Sequence, residues 1–576
     1  MKQFQKYGVA AAVASMAAGA VATEVSNRDM GDLAIVPYYT VNNGLNTGLH
    51  IINTTDATQV VKVRLRRGAD SKDALDFNVV LSPEDEWTAS VVAGGANGVQ
   101  VVTGDNSCTV PAFDNGVAEM PETFSEGATE GYIEIIGMAQ TINEAQPIAV
   151  AAEHGADGEP ADCNAVRSNF FRVDRFARNE DGTISTTAIA GTNIFANGVH
   201  TSALTSSGAC AEVDADVTAC ATAAVAEAAN LSRFEDTDDA AFKVSFMVTD
   251  SDGGLEFGDN AVMVEGHSDH PMMTNQQQLR FGLDGLLQYD ALNFELPNLA
   301  QGALDDDRSN PAIASGAMFQ AARDALNASS LVNDWASFET ADASVATDWV
   351  VTLPGQYAMT DPVCSIYADY EQSATACSQT GLGAYSADAQ AFSDLPLLLA
   401  EQLEDSEIGE GSNLLLWDRE ERSLNGTDPD PEELNPPSLD FSPAGTDTVP
   451  DPENNEFFLQ REVNVLSFNG TSVLGTSASQ SDALGLGMSI TVEGGDRGWG
   501  KLDIESTNAT PKLFLLQGTD GEGLAPDDSA RSSFTAVTGQ PAVVGMAVWE
   551  RKFSGQAGNY GRAIEHSFVR SAAPQS

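Results

Sequence analysis

The chain is poor in positive charge. It has 28 lysines and arginines against 84 aspartates and glutamates, which gives a formal net charge of −56. A polyanion of this kind repels the phosphates of nucleic acid unless a basic patch dominates its surface, so duplex nucleic acid is excluded as a general partner. Such an excess of acid fits saline surroundings, where charges are strongly screened, or carboxylates that share divalent cations.

Sequence motifs of enzyme active sites are also missing. The chain holds no H-E-x-x-H, G-x-S-x-G, G-x-x-x-x-G-K-[ST] or strand-linked G-x-G-x-x-G. His267 and His270 are close enough to share a metal, but Pro271 disfavours the helical turn that would present both rings. We therefore predict no catalytic residues and no enzymatic activity. A secreted metal-dependent hydrolase is the least favoured alternative.

Apolar runs long enough to cross a bilayer are absent too. The strongest candidate extends from Val9 to Ala22, follows Lys2 and Lys6, and ends in an A-x-A sequence. A membrane span needs roughly 20 apolar residues, whereas a charged start and a short apolar run before A-x-A are typical of a secretory signal peptide. We expect cleavage after Ala22 and no transmembrane segment in the mature chain. The expected location is the cell surface or the extracellular space, with the periplasm as the alternative.

Cysteine is scarce, and none of the six residues forms a C-x-x-C pair of the kind that binds zinc. An even number in an exported chain favours disulfides, although six cysteines allow 15 pairings. Proximity in the sequence favours Cys210 with Cys220, Cys364 with Cys377 and, from the remaining two, Cys108 with Cys163. Free buried thiols are the alternative.

Short segments in which apolar and polar residues alternate dominate both ends of the chain. Examples are LAIVPYYTV from residue 33, QVVKVRLRR from residue 59 and EVNVLSFNG from residue 462, each bounded by Asn, Gly, Asp or Pro. This pattern predicts a mainly β protein with two or more antiparallel β-sandwich-like units, of immunoglobulin-like or jelly-roll-like type. A 3.6-residue pattern over 310–329, with Pro311 near its start, predicts a helix-containing middle region.

The composition divides the chain into five regions. Residues 423–456 crowd prolines and acids with no basic residue, which indicates a solvated loop or linker. The regions are a signal peptide at 1–22, an N-terminal β-sandwich region at 23–265, a mixed helical and β middle region at 266–422, the acidic Pro-rich linker at 423–456, and a C-terminal β-rich region at 457–576.

The few cations are concentrated in one segment, which we call the cationic row. It consists of Lys62, Arg64, Arg66 and Arg67. The two-residue period of a strand places Lys62, Arg64 and Arg66 on one face, and Val61, Val63 and Leu65 on the other. We expect the apolar face to pack inward and the cationic face to lie outward.

Two interpretations of the cationic row remain open. Neighbouring strands could place the carboxylates of Asp73, Asp76 or Glu84 opposite the cations. Alternatively, the row could contact an anionic partner, either an acidic patch on another copy of the chain or an anionic envelope polymer, because arginines bind anions through two parallel hydrogen bonds.

One acidic turn is a candidate calcium site. In TDSDGGLEFGDN, residues 249–260, the carboxylates are those of Asp250, Asp252, Glu256 and Asp259. Calcium prefers several oxygen ligands from flexible loops. The segment lacks the glycine and the glutamate of an EF-hand loop at their required positions, and an ordinary hairpin with exposed acids is the alternative. No cofactor other than Ca²⁺ is expected.

Aromatic residues make up only 7% of the chain. A carbohydrate-binding surface would need some of them to be exposed. The candidates are Tyr38, Tyr39, Trp87, Trp417 and Trp499, although we expect most of them to be core residues.

Several blocks of sequence resemble a family of exported proteins of Gram-negative bacteria that is functionally uncharacterised and loosely labelled as cell-surface. In chain order the blocks are GDLAIVPYYTVNNGLNTGLHIINTT, VVKVRLRRGADSKDALDFNVVLSPEDEW, GYIEIIGMA, ATDWVVTLP, WDREE, EVNVLSFNG, VVGMAVWE and NYG. The resemblance covers nearly the whole mature chain. It implies export and a shared architecture, and it transfers no functional residue.

Together, these features predict an exported, non-enzymatic structural protein, namely a subunit of a surface layer or extracellular matrix. It would assemble through lateral contacts and divalent cations, with further copies of itself or an anionic envelope polymer as partners. The alternative is a secreted adhesin or carbohydrate-binding protein.

Overall fold

The structure is a computed structural model of the whole chain. Apart from short internal gaps at 70, 72, 95–97, 121–124, 126, 493 and 555–558, it describes residues 23–168, 195–196, 199–200, 234–250, 255–268, 272, 297–299, 317–355, 412–420, 424, 439–442, 456–457, 459, 461–476, 485–504 and 540–570. The predicted signal peptide and much of the Pro-rich linker lie outside these residues.

The N-terminal half of the described chain is built from strands β1–β16. Their bounds are β1 Glu24–Val25, β2 Leu33–Thr40, β3 Leu45–Asn53, β4 Gln59–Arg67, β5 Asp73–Leu81, β6 Glu86–Ala93, β7 Val99–Val102, β8 Cys108–Val110, β9 Val117–Glu119, β10 Glu130–Thr141, β11 Phe195–Ala196, β12 Val199–His200, β13 Phe234–Glu235, β14 Phe242–Asp250, β15 Glu256–Asn260 and β16 Val262–Glu265.

These strands form two large antiparallel sheets and a small β11–β12 pair. Sheet A has the order β1-β16-β2-β10-β4-β5-β8, with β13 also paired to β10. Sheet B has the order β15-β14-β3-β6-β7-β9. The apolar faces of the two sheets pack on each other, as the rings of Phe77 on β5 and Trp87 on β6 show with centroids 5.6 Å apart. Sheets A and B therefore form the predicted N-terminal sandwich.

Strand β2 lies inside the molecule on both of its faces, since all eight of its residues are buried. Its proline, Pro37, sits where the register with β10 shifts between Gly131 and Ile133. Because proline has no N–H to give to a sheet, an irregularity in the pairing is where a strand proline is tolerated.

The C-terminal half contributes strands β17–β28. Their bounds are β17 Ser330–Ala336, β18 Phe338–Glu339, β19 Ala343–Thr352, β20 Ser412–Trp417, β21 Leu439–Ser442, β22 Glu456–Phe457, β23 Val463–Phe468, β24 Gly487–Val492, β25 Arg497–Asp503, β26 Val544–Phe553, β27 Tyr560–Glu565 and β28 Ser567–Val569.

These strands form a second pair of sheets. Sheet C has the order β22-β20-β25-β17-β28, and sheet D has the order β21-β24-β23-β19-β26-β27, with β18 paired to β19. All described pairings in the two sheets are antiparallel except β23 with β24. Trp335 of sheet C stacks on Phe468 of sheet D, with ring centroids 5.1 Å apart. Sheets C and D thus form a second sandwich, whose strands come from both sides of the predicted Pro-rich linker and, in β21, from within it. The prediction of a loop or linker is wrong for these four residues, which pair with β24.

The two sandwiches share a hydrophobic core. Alternation along β19 turns Trp349 and Val351 toward sheet C, whereas Val350 belongs to the same apolar cluster as residues of β2 and β10. The hydroxyl of Thr352 also donates a hydrogen bond of 2.7 Å to the carbonyl of Pro37. Sheet D therefore lies between sheet C and the N-terminal sandwich.

Helices are few among the described residues. They are α1 Pro147–Ala152, α2 Cys163–Ser168 and α3 Ala317–Leu326, together with a single 3-10 turn at Asn42–Gly44. Helix α3 confirms the C-terminal part of the helical pattern predicted over 310–329, whose first residues lie outside the described chain. The prediction of a mainly β protein with antiparallel sandwich-like units is confirmed.

Candidate functional site

The cationic row is buried. Lys62 and Arg64 are 0% exposed, Arg66 is 2% exposed and Arg67 is 3% exposed. All nine residues of β4 are buried, because the strand lies between β5 and β10 in the middle of sheet A. The expectation that the cationic face lies outward is wrong, because this face of sheet A is covered as well as the face toward sheet B. Part of that cover is residues 297–299, all buried, where Pro297 accepts a hydrogen bond of 3.1 Å from Arg64 Nη1.

Carboxylates on the neighbouring strands meet Lys62 and Arg66. Lys62 Nζ lies 2.6 Å from Asp76 Oδ2 on β5, and both side chains are fully buried. Arg66 Nη2 lies 3.4 Å from Glu134 Oε2 on β10, and Arg66 Nη1 donates to the carbonyl of Ser71 at 3.2 Å. A buried charge without a partner is very costly, so these contacts are what allow the row to lie inside the sheet. The cross-strand interpretation is correct for Asp76.

Glu134 was missed by the sequence analysis. It is the one charged residue inside the apolar stretch YIEIIG of β10, and a charge inside a buried strand is a signal that a partner lies opposite. Tyr132 completes the group, because its hydroxyl donates to Glu134 Oε1 at 3.2 Å and also bonds Ser71 Oγ at 2.9 Å. Of the other proposed partners, Glu84 lies exposed in a turn, and the side chain of Asp73 lies outside the described residues.

Three of the acids that are buried away from the cationic row have a strongly raised pKa. Burial raises the pKa of Asp348 to about 7, although its carboxylate accepts hydrogen bonds from the Ser472 hydroxyl and from the N–H groups of Val473 and Leu474. Asp348 thereby ties β19 to the turn after β23. Asn43, at the 3-10 turn of the N-terminal half, donates to the carbonyl of Gly475 in the same turn at 2.8 Å.

The other two acids with a strongly raised pKa lie in the N-terminal sandwich. Burial raises the pKa of Glu130 to about 7, while the hydroxyl of Tyr38 donates to Glu130 Oε2 at 2.7 Å. Burial raises the pKa of Asp32 to about 8, and the N–H groups of His267 and Ser268 donate to its two oxygens at 3.2 and 2.6 Å. None of these acids was predicted to be buried, because nothing in the sequence distinguishes them by spacing from the other 81 carboxylates.

One histidine is held neutral inside the second sandwich. Burial lowers the pKa of His566 to about 3, while the backbone carbonyl of Val350, 3.0 Å from Nε2, opposes the shift. With its proton on Nε2, the ring can accept at Nδ1 from the amide of Asn333, 2.9 Å away. The ring is packed edge-on against Trp349 with centroids 5.4 Å apart, so it is a core residue rather than a metal ligand.

The acids of the candidate calcium turn do not converge where they are described. Asp250 ends β14, while Glu256 and Asp259 lie three residues apart on β15. Because successive side chains of a strand alternate, Glu256 and Asp259 point to opposite faces. Asp252 lies outside the described residues. Within the described part of the chain, no three His, Cys, Asp or Glu side chains are grouped so that they could hold a metal ion.

The pair His267 and His270 is not supported as a metal site. His267 is 5% exposed, and its backbone N–H is bonded to Asp32. His270 lies outside the described residues.

A disulfide joins Cys108 on β8 to Cys163 at the start of α2, with Cα atoms 5.3 Å apart. This predicted bridge is confirmed, and it anchors α2 and α1 to the edge of sheet A, where Cys108 lies in an apolar cluster with Ile148 and Val166. Cys210, Cys220, Cys364 and Cys377 lie outside the described residues, so their predicted bridges remain predictions.

The candidate aromatic residues separate into two groups. Tyr38, Tyr39 and Trp87 are 0% exposed and belong to the core of the N-terminal half, in agreement with the expectation that most of the candidates are core residues. Trp417 and Trp499 occupy directly opposed positions on β20 and β25, and their rings stack with centroids 4.2 Å apart. Trp499 is 39% exposed and Trp417 is half-buried, so this pair lies at the surface of sheet C.

Comparison with known proteins finds no match: no protein-family model, curated protein or solved structure is significantly similar to the chain. Among the described residues, no helix has both the length and the apolar character that a membrane span requires.

Proposed function

We propose that the protein is an exported, non-enzymatic structural protein of the cell exterior, which associates laterally with copies of itself through divalent cations. The observation that carries this proposal is the burial of the cationic row. Four of the 28 basic side chains are buried inside sheet A. Because carboxylates such as Asp76 and Glu134 are buried as well, the net charge of the surface changes little, but more than three acids remain there for each base. Two such surfaces repel each other unless cations intervene.

Carboxylate crowding on the surface supports this reasoning. The pKa of Asp239 is raised, first by partial burial and then by the negative charges of Glu265, Asp238 and Asp236. A bound cation stabilises carboxylates that repel one another in this way. We expect this response to be general on a surface that has few cations of its own.

The calcium that we propose joins two copies rather than filling a site within one chain. Ca²⁺ takes six to eight oxygen ligands. Glu256 and Asp259, on opposite faces of the hairpin strand β15, can each offer a carboxylate to a different neighbour. A cation between copies would complete its coordination from both surfaces, which needs no preformed cluster in the single chain.

Two further features fit the cell exterior. A disulfide such as Cys108–Cys163 persists in oxidising compartments and is rare in the cytosol. The shared core makes the two sandwiches one continuous body, which suits a building block that transmits load between neighbours.

The experiment is sedimentation velocity of residues 23–576 in NaCl and in millimolar CaCl₂ at equal ionic strength, followed by addition of EDTA. We expect a monomer in NaCl, large species with CaCl₂ and a return to monomer with EDTA. Equal ionic strength separates bridging by Ca²⁺ from simple screening. A monomer at every calcium concentration would overturn the proposal.

A matched pair of variants tests the contribution of the hairpin. Glu256→Gln with Asp259→Asn should raise the calcium concentration needed for association. Asp56→Asn with Glu119→Gln removes the same number of exposed acids elsewhere on the N-terminal sandwich and should leave it unchanged. An equal effect of both pairs would show that the hairpin acts only through net charge.

A further inference from the structure

The outer face of sheet C carries an aromatic pair that packing does not require. Along β25, Leu502 and Gly500 are buried toward sheet D, whereas Arg497, Trp499, Lys501 and Asp503 point outward. Along β20, Trp417 points outward next to Trp499, and their rings are within 14° of parallel. A Cβ on Gly498 would collide with the carbonyl of Trp417, so the glycine permits the close approach of the two strands beside the pair.

The pair has unused binding capacity. Stacking on Trp417 covers one face of the Trp499 ring, and on the other side the register places Asp334 of β17 next to Trp499. Asp334 is exposed, and its backbone is held by a 3.0 Å hydrogen bond from the buried Trp349 Nε1. Neither indole N–H of the surface pair has a hydrogen-bond partner in the part of the chain that the structure describes.

The surroundings of the pair differ in charge from the rest of the molecule. Two cations flank Trp499 along β25, and each is paired with an acid: Arg497 with Asp496 at 2.9 Å, and Lys501 with Asp503. The side chain of Arg497 also stacks over the ring of Phe338, with the guanidinium 4.4 Å from the ring centroid. These two ion pairs cancel, and Asp334 leaves the patch with only a small excess of acid on a body whose net charge is −56.

We propose that this patch of sheet C, centred on Trp499, binds a neutral polysaccharide. The apolar C–H face of a pyranose ring packs against an aromatic face, and its hydroxyls take hydrogen bonds from groups at the ring edge. Here the stacking surface is Trp499, the donors are the two indole N–H groups and Lys501, and the acceptors are Asp334 and Asp503. The site goes beyond the proposed structural role and does not depend on it.

The chemistry of the patch favours this ligand over the two other classes that stack on indole. Nucleic acid bases also stack on aromatic rings, but their phosphates would meet an anionic body without a basic groove. A quaternary ammonium ion would be held over the ring by cation–π attraction. Such ions are held best in cages of several aromatic faces, whereas Trp417 already covers one face of Trp499.

Affinity electrophoresis tests the site with the mature chain, in native gels that contain hydroxyethylcellulose, laminarin, galactomannan or dextran, and in gels with heparin as an anionic comparison. We expect retardation in at least one neutral gel and none with heparin. Trp499→Ala and Trp499→Thr should weaken that binding at least about tenfold. The threonine variant keeps a residue that favours strands and so guards against a loss through misfolding. Tyr560→Ala, which removes another exposed aromatic from an edge strand of sheet D, should bind as the unchanged protein does.

Each outcome decides the proposal. Loss of binding in both Trp499 variants with retention in Tyr560→Ala supports it, provided that thermal melting shows all three variants folded. The absence of retardation in every neutral gel overturns it. So do binding to heparin alone, undiminished binding of folded Trp499 variants, and an equal loss in Tyr560→Ala.

Discussion

Lys62 Nζ and Asp76 Oδ2 lie 2.6 Å apart, and both side chains are 0% exposed. In a protein with three acids for every base, a fully buried cation is an unusual use of positive charge. The pair holds β4 against β5 inside sheet A. Because it is fully buried, this lysine cannot contact an anionic partner at the surface.

Removal of one partner from this pair should destabilise the protein strongly. Lys62→Met leaves the Asp76 carboxylate buried without its cation, and we expect a loss of about 3–5 kcal/mol in the free energy of unfolding. Urea denaturation at neutral pH measures it. The matched control is Lys501→Met, which breaks the partly exposed pair with Asp503 and should cost below about 1 kcal/mol. Similar losses in the two variants would contradict the burial described for Lys62.

The Arg66–Glu134 contact should be coupled rather than additive. Arg66→Met and Glu134→Gln each leave a buried group short of its partner, so the double variant should lose less stability than the sum of the single losses. A double-mutant cycle with urea unfolding measures the coupling. A sum that is simply additive would show that the two residues do not interact.

Loss of the disulfide should lower the free energy of unfolding by more than a surface substitution does, without unfolding the protein. The Cys108–Cys163 bridge closes a loop with a sequence separation of 55 residues, for which the chain-entropy model gives about 4 kcal/mol. Cys108→Ser with Cys163→Ser, compared with the unchanged protein under non-reducing conditions, tests this. Reaction of both cysteines with a thiol reagent in the unreduced, denatured protein would contradict the bridge itself.

The buried carboxyl of Asp348 predicts a pH dependence of stability with a definite sign. Its folded-state pKa of about 7 lies above an unfolded value of about 4, so the folded state holds the proton more tightly. Its contribution to stability is therefore fully present below about pH 4 and is lost as the pH rises through about 7. Glu130 and Asp32, with pKa values of about 7 and about 8, act in the same direction.

The measurement is the unfolding free energy of Asp348→Asn and of the unchanged protein between pH 4 and pH 8. The variant has no proton to lose at this position, so its stability relative to the unchanged protein should improve as the pH rises. His566 acts in the opposite direction, because its folded pKa of about 3 makes neutral pH the favourable side. Because His566 is present in both proteins, its contribution cancels when their stabilities are compared. Parallel curves for the two proteins would show that Asp348 does not titrate as described.

The sequence predicted the sheets well, because alternation and turn residues are local signals. Segments such as LAIVPYYTV and QVVKVRLRR lie within one or two residues of β2 and β4. The pairing of strands was not predictable, since β4 meets β10 across more than 60 residues of chain and nothing in either segment specifies the other. The hydrogen bond between Thr352 and Pro37, which joins the two sandwiches, was unpredictable for the same reason.

The orientation of the cationic row shows where local reasoning failed. A period of two placed Lys62, Arg64 and Arg66 on the face opposite to Val61, Val63 and Leu65, but it could not show that both faces of sheet A are covered. Residues that are distant in sequence, such as those at 297–299, supply the cover. Glu134 was the sequence signal for burial of the row, because a carboxylate within an apolar strand needs a buried cation. The surface pair was visible only as two tryptophans 82 positions apart, until the register of β20 and β25 placed them side by side.

The most direct test of the account is the location and form of the protein in the cells that make it. Intact cells would be washed with EDTA, and the released protein would be examined by mass spectrometry for its N-terminus and for the Cys108–Cys163 bridge. The account predicts that the chelator releases a chain that begins at Thr23 and is oxidised at this bridge. Recovery of the chain from the cytosol, with residues 1–22 retained and both thiols reduced, would contradict export and the proposed role at the cell exterior.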